Sequence, residues 1–135
     1  MHVHAFRMSL SYPELAPLTS AIIHGAIEVH TYFGAGLLEH VYEESLYWEL
    51  LDNGLAVQRQ RRSPVIYKTH LIQDAYRLDL VVNDVVVVEV KAVEKVAPVH
   101  KSQLRTYLKL TNRHVGLLLN FEVEQMRHGI FRVSL

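Results

Sequence analysis

The sequence predicts a single α/β domain in which helices pack on a mixed β-sheet, in one layer or two. Its 135 residues suit one compact domain. The first part of the chain has apolar residues at helical spacing, and from residue 55 onwards the runs are rich in β-branched residues. The predicted order is helix, helix, three or four strands, helix, strand, strand, which is typical of a mixed sheet.

Two helices are predicted before the first strand. Residues 14–33 carry apolar side chains three or four positions apart, and Gly34 and Gly36 break this pattern. A second helix is predicted at residues 37–51, where "DNG" at 52–54 is a stop and turn signal.

After residue 54 the spacing of the apolar residues changes, and the remaining elements are predicted from the new patterns. Residues 55–93 read as several strands in succession. Residues 98–113 are predicted to form a third helix, with Pro98 suited to its first turn. Residues 115–121 are predicted to form a buried strand, and residues 129–135 a closing one.

Composition excludes several classes of protein. The chain has no cysteine, which excludes disulfides, thiolate metal ligands and cysteine nucleophiles. Its 14 basic and 14 acidic side chains argue against a protein that coats nucleic acid through bulk charge alone. No apolar run approaches the roughly 20 residues of a membrane helix, and the start lacks a signal-peptide pattern. We therefore expect a cytoplasmic protein with a domain at residues 14–135 and a flexible extension at residues 1–13.

The stretch "LDLVVNDVVVVEVKAV" at residues 78–93 is almost wholly apolar, yet it carries Asp79, Glu89 and Lys91. Because an isolated buried charge is unfavourable, these side chains require partners, a metal or a solvent-lined cleft. One alternative is a solvated ion pair between Glu89 and Lys91, with Asp79 at a strand end.

The turn in this stretch decides whether the acids meet. A turn of two residues, Asn83 and Asp84, points the side chains of Asp79 and Glu89 to opposite faces. A turn of three residues, or a bulge with the same effect, places Asp79 directly opposite Glu89, with Lys91 next on that face.

In the second register the two carboxylates lie about 5 Å apart at Cβ. Two unit charges about 4 Å apart repel by roughly 4 kcal/mol at an effective dielectric constant near 20. A divalent cation converts this repulsion into attraction, and Mg²⁺ is commonly held by one or two carboxylates with waters and substrate phosphate. Lys91 would then orient an attacking water or offset charge on the phosphate.

Three motifs resemble a known family. The D-x₉-E-x-K pattern of this hairpin resembles the core of the PD-(D/E)XK nuclease superfamily, which has the restriction-endonuclease-like fold. "GLLEHVY" at 36–42 resembles the signature of the GxxExxY proteins of that superfamily, and residues 103–107 resemble the Q-x-x-x-Y motif of its RecB-type nucleases. The resemblance spans about residues 20–133, although Leu78 replaces the strict proline before Asp79.

The resemblance implies a role for each motif residue. Asp79 and Glu89 are implied to hold Mg²⁺ or Mn²⁺ together with Glu39, and Lys91 is implied to be the catalytic lysine. Gln103 and Tyr107 are implied to flank the site. The catalytic set is therefore Glu39, Asp79, Glu89, Lys91, Gln103 and Tyr107.

Several neighbouring residues have simpler interpretations. Glu43 and Glu44 are expected on a solvated helix face, and Tyr42 is expected to pack in the core. His30 is a looser counterpart of a helix histidine that some RecB-type members use. Because many nucleases of this superfamily are dimers, the resemblance also suggests a homodimer.

Basic residues provide candidate contacts to nucleic acid. Arg59 and Arg61 are expected on one strand face, and Lys101 and Arg105 lie at helical spacing. Either set could bind phosphates, and the alternative is a surface with scattered basic residues. Two functions follow: a metal-dependent nuclease acting on DNA, or a nuclease-like module that only binds nucleic acid or a protein partner.

Overall fold

The computed structural model describes residue 11 and residues 13–135. Within these residues it contains a five-stranded sheet and three α-helices, which confirms the predicted fold class. Most of the expected flexible extension, residues 1–10 and 12, lies outside the described residues. The elements are α1 (Ala16–Phe33), α2 (Glu39–Asp52), β1 (Val57–Tyr67), β2 (His70–Val82), β3 (Val86–Lys91), α3 (Pro98–Leu110), β4 (Val115–Asn120) and β5 (Ile130–Ser134).

The strands follow chain order across the sheet, β1-β2-β3-β4-β5. β3 and β4 are parallel, joined by the crossover helix α3, and the other neighbouring pairs are antiparallel. The sheet is therefore mixed, as predicted, and residues 55–93 supply three of its strands.

Helices cover both faces of the sheet. Tyr42 and Leu46 of α2 pack with α1 on the face that carries Val88. Leu104 and Leu108 of α3 pack on the opposite face with Val87. Because β3 and β4 are covered on both sides, they are apolar along nearly their whole length. No helix in the described residues has both the length and the hydropathy to cross a membrane.

A close approach fixes α3 on the sheet. A Cβ atom added at Gly116 of β4 would lie 3.0 Å from Cδ1 of Leu104, so the glycine gives α3 room to pack directly on β4. This approach positions the helix that carries Gln103 and Tyr107.

β1 and β2 continue beyond the rest of the sheet as a two-stranded arm, residues 61–77. β3 pairs only with residues 80–82 of β2, whereas β1 pairs with β2 as far as the turn at Lys68. Ile66 and Leu71 near the tip are exposed. On β2 the arm therefore ends at Arg77, two residues before Asp79.

The turn between β2 and β3 combines the two predicted geometries. Asn83 and Asp84 have φ angles of 49° and 61°, and the N–H of Val85 donates to the carbonyl of Val82 over 3.1 Å. The ladder nevertheless pairs Val82 with Val86, so Val85 is an extra residue. The three-residue register is confirmed, and Asp79 lies opposite Glu89.

Arg113 holds this turn in place from the α3–β4 connection. Its Nε donates to the carbonyl of Asp84 over 3.0 Å, and its Nη2 lies 2.7 Å from Oδ1 of Asp84. The Arg113 side chain is 1% exposed. On the other side, the Asn83 carboxamide oxygen accepts the N–H of Ala56 over 2.9 Å. The turn is thus fixed by contacts to two neighbouring segments.

We expect Asp84→Asn to lower the free energy of unfolding by roughly 2–3 kcal/mol, because it removes the carboxylate charge that lies 2.7 Å from the buried Arg113 guanidinium. Asparagine tolerates the left-handed backbone conformation, so the substitution removes the negative charge without straining the backbone. Urea unfolding measures the change. Asp74→Asn is the matched control, since Asp74 is exposed and also has a positive φ, 48°. Equal stability of the two variants would contradict the assigned role of Arg113.

Candidate active site

Asp79 and Glu89 meet where β2 and β3 separate. The last paired residues are Leu80 and Val88. Beyond them, the N–H of Asp79 donates to Oε2 of Glu89 over 3.3 Å, and the N–H of Val90 donates to Oδ2 of Asp79 over 2.9 Å. The two carboxylates therefore satisfy backbone donors at the point where the ladder ends.

β1 is irregular at the same level of the sheet. Arg59 pairs with Leu80 and Arg61 with Leu78, but Gln60 between them has φ 54° and does not pair with Asp79. Strict alternation would put Leu78 and Leu80 on one face, yet they pack on opposite faces. Asp79 thus lies where both neighbouring ladders are interrupted.

Burial makes this pair of acids electrostatically unfavourable. Asp79 is 8% exposed and Glu89 is 5% exposed. Burial is the largest cause that raises the pKa of each carboxyl, and the charge of Asp79 raises the pKa of Glu89 further. The nearby Lys91 ammonium lowers both pKa values by a smaller amount. The pair would therefore gain from an additional positive charge.

A third acid was missed by the sequence. Glu43 is 4% exposed, so the expectation that it belongs to a solvated helix face is wrong. Its Oε2 accepts Nε of Arg59 over 3.0 Å and Nε2 of Gln60 over 2.5 Å. The charge of Glu43 also raises the pKa of both Asp79 and Glu89. Its spacing from the buried Leu46, three positions later, was the signal that could have identified it.

Glu39 lies one turn earlier, at the exposed first residue of α2. Its charge raises the pKa of Asp79, although less than that of Glu43 does. Tyr42 is fully buried, as expected, and stacks on Phe121 with a centroid distance of 4.7 Å. The helix therefore directs two acids towards the Asp79 side of the sheet.

Lys91 ends β3 beside Asn120 of β4. Among the ion pairs of the described residues, none joins Lys91 to Asp79 or Glu89. Asn120, which sequence reasoning missed, is buried, and its carboxamide binds both backbone groups of Val93, two residues after Lys91. Its Oδ1 accepts the N–H of Val93 over 3.0 Å, and its Nδ2 donates to the Val93 carbonyl over 2.9 Å. These bonds fix the backbone that carries Lys91.

Gln103 and Tyr107 lie one turn apart on α3, at the edge of the acid pair. Burial and then the charges of Glu89 and Asp79 raise the pKa of Tyr107, and the neighbouring Gln103 side chain lowers it by a smaller amount. The Tyr107 ring stacks on Tyr76 at 5.1 Å between centroids. The structure thus brings Tyr107 into the electrostatic reach of the acids.

His30 is buried, and its contacts are with the segment that follows β4. Its Nε2 lies 2.7 Å from the carbonyl of Val123, so this nitrogen carries the proton and donates. Its ring also lies near Phe121, at 6.5 Å between centroids. These contacts tie α1 to the segment after β4.

The two arginines of β1 do not share the strand face that the sequence predicts. Arg59 pairs with Glu43, whereas Arg61 pairs with Asp84. The expectation of a common strand face is wrong, because the left-handed Gln60 between them disrupts the alternation. On α3, Nζ of Lys101 lies over the ring of Phe131, 4.4 Å from its centroid, and Arg105 is exposed.

The donor set fits a divalent cation held by few protein ligands. The described residues contain no group of three His, Cys, Asp or Glu side chains arranged for a metal. One oxygen of Asp79 and one of Glu89 accept backbone N–H groups, and no donor in the described part of the chain takes Oδ1 of Asp79 or Oε1 of Glu89. Two hard oxygen ligands, completed by waters and phosphate, are typical of Mg²⁺ sites.

Comparison with known proteins identifies the family of the chain. The model of the PD-(D/E)XK nuclease superfamily matches residues 16–133, which include the three helices and all the site residues. Neither the curated proteins nor the solved structures gave a match. Members of the superfamily are generally nucleases and typically use divalent metal ions. With its mixed sheet and paired acids within the matched segment, the chain belongs to the PD-(D/E)XK nuclease superfamily.

Proposed function

We propose that the protein is a metal-dependent nuclease that hydrolyses phosphodiester bonds in DNA. The observation that carries this proposal is the β2–β3 register, which brings the buried carboxyl groups of Asp79 and Glu89 together. Such a pair is costly unless a cation or protons neutralise it. Membership of the superfamily supports the reaction class.

Asp79 and Glu89 would hold Mg²⁺ or Mn²⁺ directly, and Glu39 and Glu43 would add negative charge from α2. When bound, the ion supplies Lewis-acid polarisation of the phosphate and lowers the pKa of water. The carboxylates of the chain keep their orientation through the N–H groups of Asp79 and Val90.

The chain's own residues would position the reacting groups. In hydrolysis a water oxygen forms a bond to phosphorus, the bond from phosphorus to one sugar oxygen breaks, the water loses a proton and the leaving oxygen gains one. Lys91 offers an ammonium that can orient the water and offset negative charge as it develops on the phosphate. Gln103 and Tyr107, at the edge of the acids, would contact the strand being cut.

The first motif supports the narrower assignment to the GxxExxY proteins, which we include in the proposal. The Tyr42 hydroxyl donates to the carbonyl of Gly34 over 2.6 Å and accepts the N–H of Leu37 over 3.1 Å. Gly36 adopts φ 107° in this loop. Glycine and tyrosine thus shape the turn that makes Glu39 the first residue of α2.

We expect Asp79→Asn and Lys91→Met each to reduce metal-dependent cleavage of DNA by at least about 10²-fold, because each removes a charge from the reacting centre. Cleavage is followed on gels with Mg²⁺ or Mn²⁺ and with a chelator. Asp74→Asn, on the exposed part of β2, is the matched control and should cleave like wild type.

Equal cleavage by wild type and both variants would identify a contaminating nuclease. Absence of cleavage on every form of DNA and RNA would reject the enzyme and favour the alternative, a nuclease-like module that only binds.

The two acids of α2 should differ in their effect on the metal. We expect Glu43→Gln to weaken Mn²⁺ binding about tenfold and Glu39→Gln to weaken it less, since a buried charge acts through a lower effective dielectric constant. Calorimetric titration measures both, with Glu44→Gln as the control on the same helix. If Glu39→Gln weakened Mn²⁺ binding more than Glu43→Gln, the third acid of the site would be Glu39, the residue of the first motif, and not Glu43.

Without metal, stability should fall as the pH rises. Burial raises the pKa of Glu89 from 4.5 to about 8, so the folded protein binds a proton that the unfolded chain releases. The native state is therefore favoured below about pH 5 and progressively loses that advantage up to about pH 8. We expect Glu89→Gln to remove most of this dependence and to raise the stability near pH 8 by on the order of 2 kcal/mol.

Thermal unfolding in a chelator, at a series of pH values, measures this effect. Added Mn²⁺ should stabilise wild type and have little effect on Glu89→Gln. A wild-type stability that is independent of pH between about 5 and 8 would contradict the raised pKa of the buried pair.

A further inference from the structure

Two arginines oppose each other on the arm. Arg62 of β1 and Arg77 of β2 are direct partners in the antiparallel ladder, and both are exposed. Side chains in such positions start about 5 Å apart at Cβ, and like charges directly opposite destabilise a sheet. The adjacent pair, Ser63 and Tyr76, carries no charge that would compensate them.

The neighbouring arginines have carboxylate partners, in contrast to this pair. Arg59 pairs with Glu43, and Arg61 and Arg113 both pair with Asp84. No ion pair among the described residues involves Arg62 or Arg77. Within residue 11 and residues 13–135, the two guanidinium groups therefore carry positive charge that no carboxylate pairs with.

The pair lies close to the acids along the strand. Arg77 precedes Asp79 by two residues, which corresponds to about 7 Å of strand. A nucleic-acid strand that places one phosphate at Asp79 and Glu89 would pass beside the base of the arm.

We infer that Arg62 and Arg77 form a clamp that binds a backbone phosphate of the nucleic acid next to the phosphate that is cut. The guanidinium fork suits this ligand, because it presents paired N–H donors to phosphate oxygens. An anion between the two cations converts their repulsion into attraction. The clamp rests on the proposed function for its substrate, and it replaces Arg59 and Arg61, whose guanidinium groups are held by acids.

Binding of a short, fluorescently labelled DNA duplex, measured by anisotropy in a chelator over a series of salt concentrations, tests the clamp without cleavage. Arg62→Gln and Arg77→Gln should each reduce the slope of log affinity against log salt by about 1, and the double variant by about 2. Arg127→Gln, an exposed arginine bonded to Gln125, is the control and should match wild type.

Thermal unfolding without DNA provides a second readout. Each single variant should be at least as stable as wild type, since the substitution removes the repulsion between the two side chains. Reduced DNA affinity with retained or increased stability identifies a ligand site, whereas reduced affinity in variants that have lost stability would overturn the clamp.

Further outcomes would overturn the clamp. These are salt slopes equal to wild type in both single variants, or a wild-type protein that does not bind DNA. Inorganic phosphate, added at constant ionic strength, distinguishes a small-anion site: phosphate binding that requires both arginines, with unchanged DNA affinity in the variants, would reject the backbone assignment. Cleavage by wild type with unchanged slopes in the variants would reject the clamp and leave the nuclease proposal intact.

Discussion

The contact between Arg113 and the β2–β3 turn is the constraint on which the candidate site depends. It holds Asp84 in a left-handed conformation with Val85 as an extra residue, and thereby pairs Val82 with Val86. Because side chains alternate along a strand, a slip of one residue would point one acid of the pair to the opposite face. A cation at one end of β3 thus determines whether the carboxylates at the other end can act together.

The site combines several locally unfavourable features in a sheet that is otherwise regularly paired and apolar in its core. Asp79 and Glu89 are buried like charges, both ladders are interrupted at Asp79, and Gln60 adopts a left-handed conformation there. Such features persist only where the surrounding structure over-determines them. Here the parallel β3–β4 pair, covered by helices on both faces, supplies that rigidity. A metal ion and a phosphate backbone would each relieve part of the electrostatic cost, at the acids and at the base of the arm.

The ways in which sequence reasoning failed share one cause. Glu43 lies on a helix that carries five acids, so the sequence leaves its solvated face ambiguous, and only the packing of Glu43 against Arg59 and Gln60 decides which acid is buried. Arg59 and Arg61 were assigned to one face because alternation was assumed through Gln60. In the sequence, Asn120 is only the last residue of an apolar strand, because the residue it contacts, Val93, is 27 positions away in the chain. Each of these depends on partners distant in sequence.

By itself, the sequence determined the fold class and the order of the elements, because hydrophobic periodicity is a local property of the chain. The roles of the motif residues are what the family resemblance implies. The sequence limited the hairpin to two registers without choosing between them. The tertiary structure decided that choice through Arg113, which comes from a different segment, and it decided which charges are paired, buried or opposed. These depend on contacts between strands and helices that the chain brings together only on folding, and their energies are set by how deeply those contacts bury each charge.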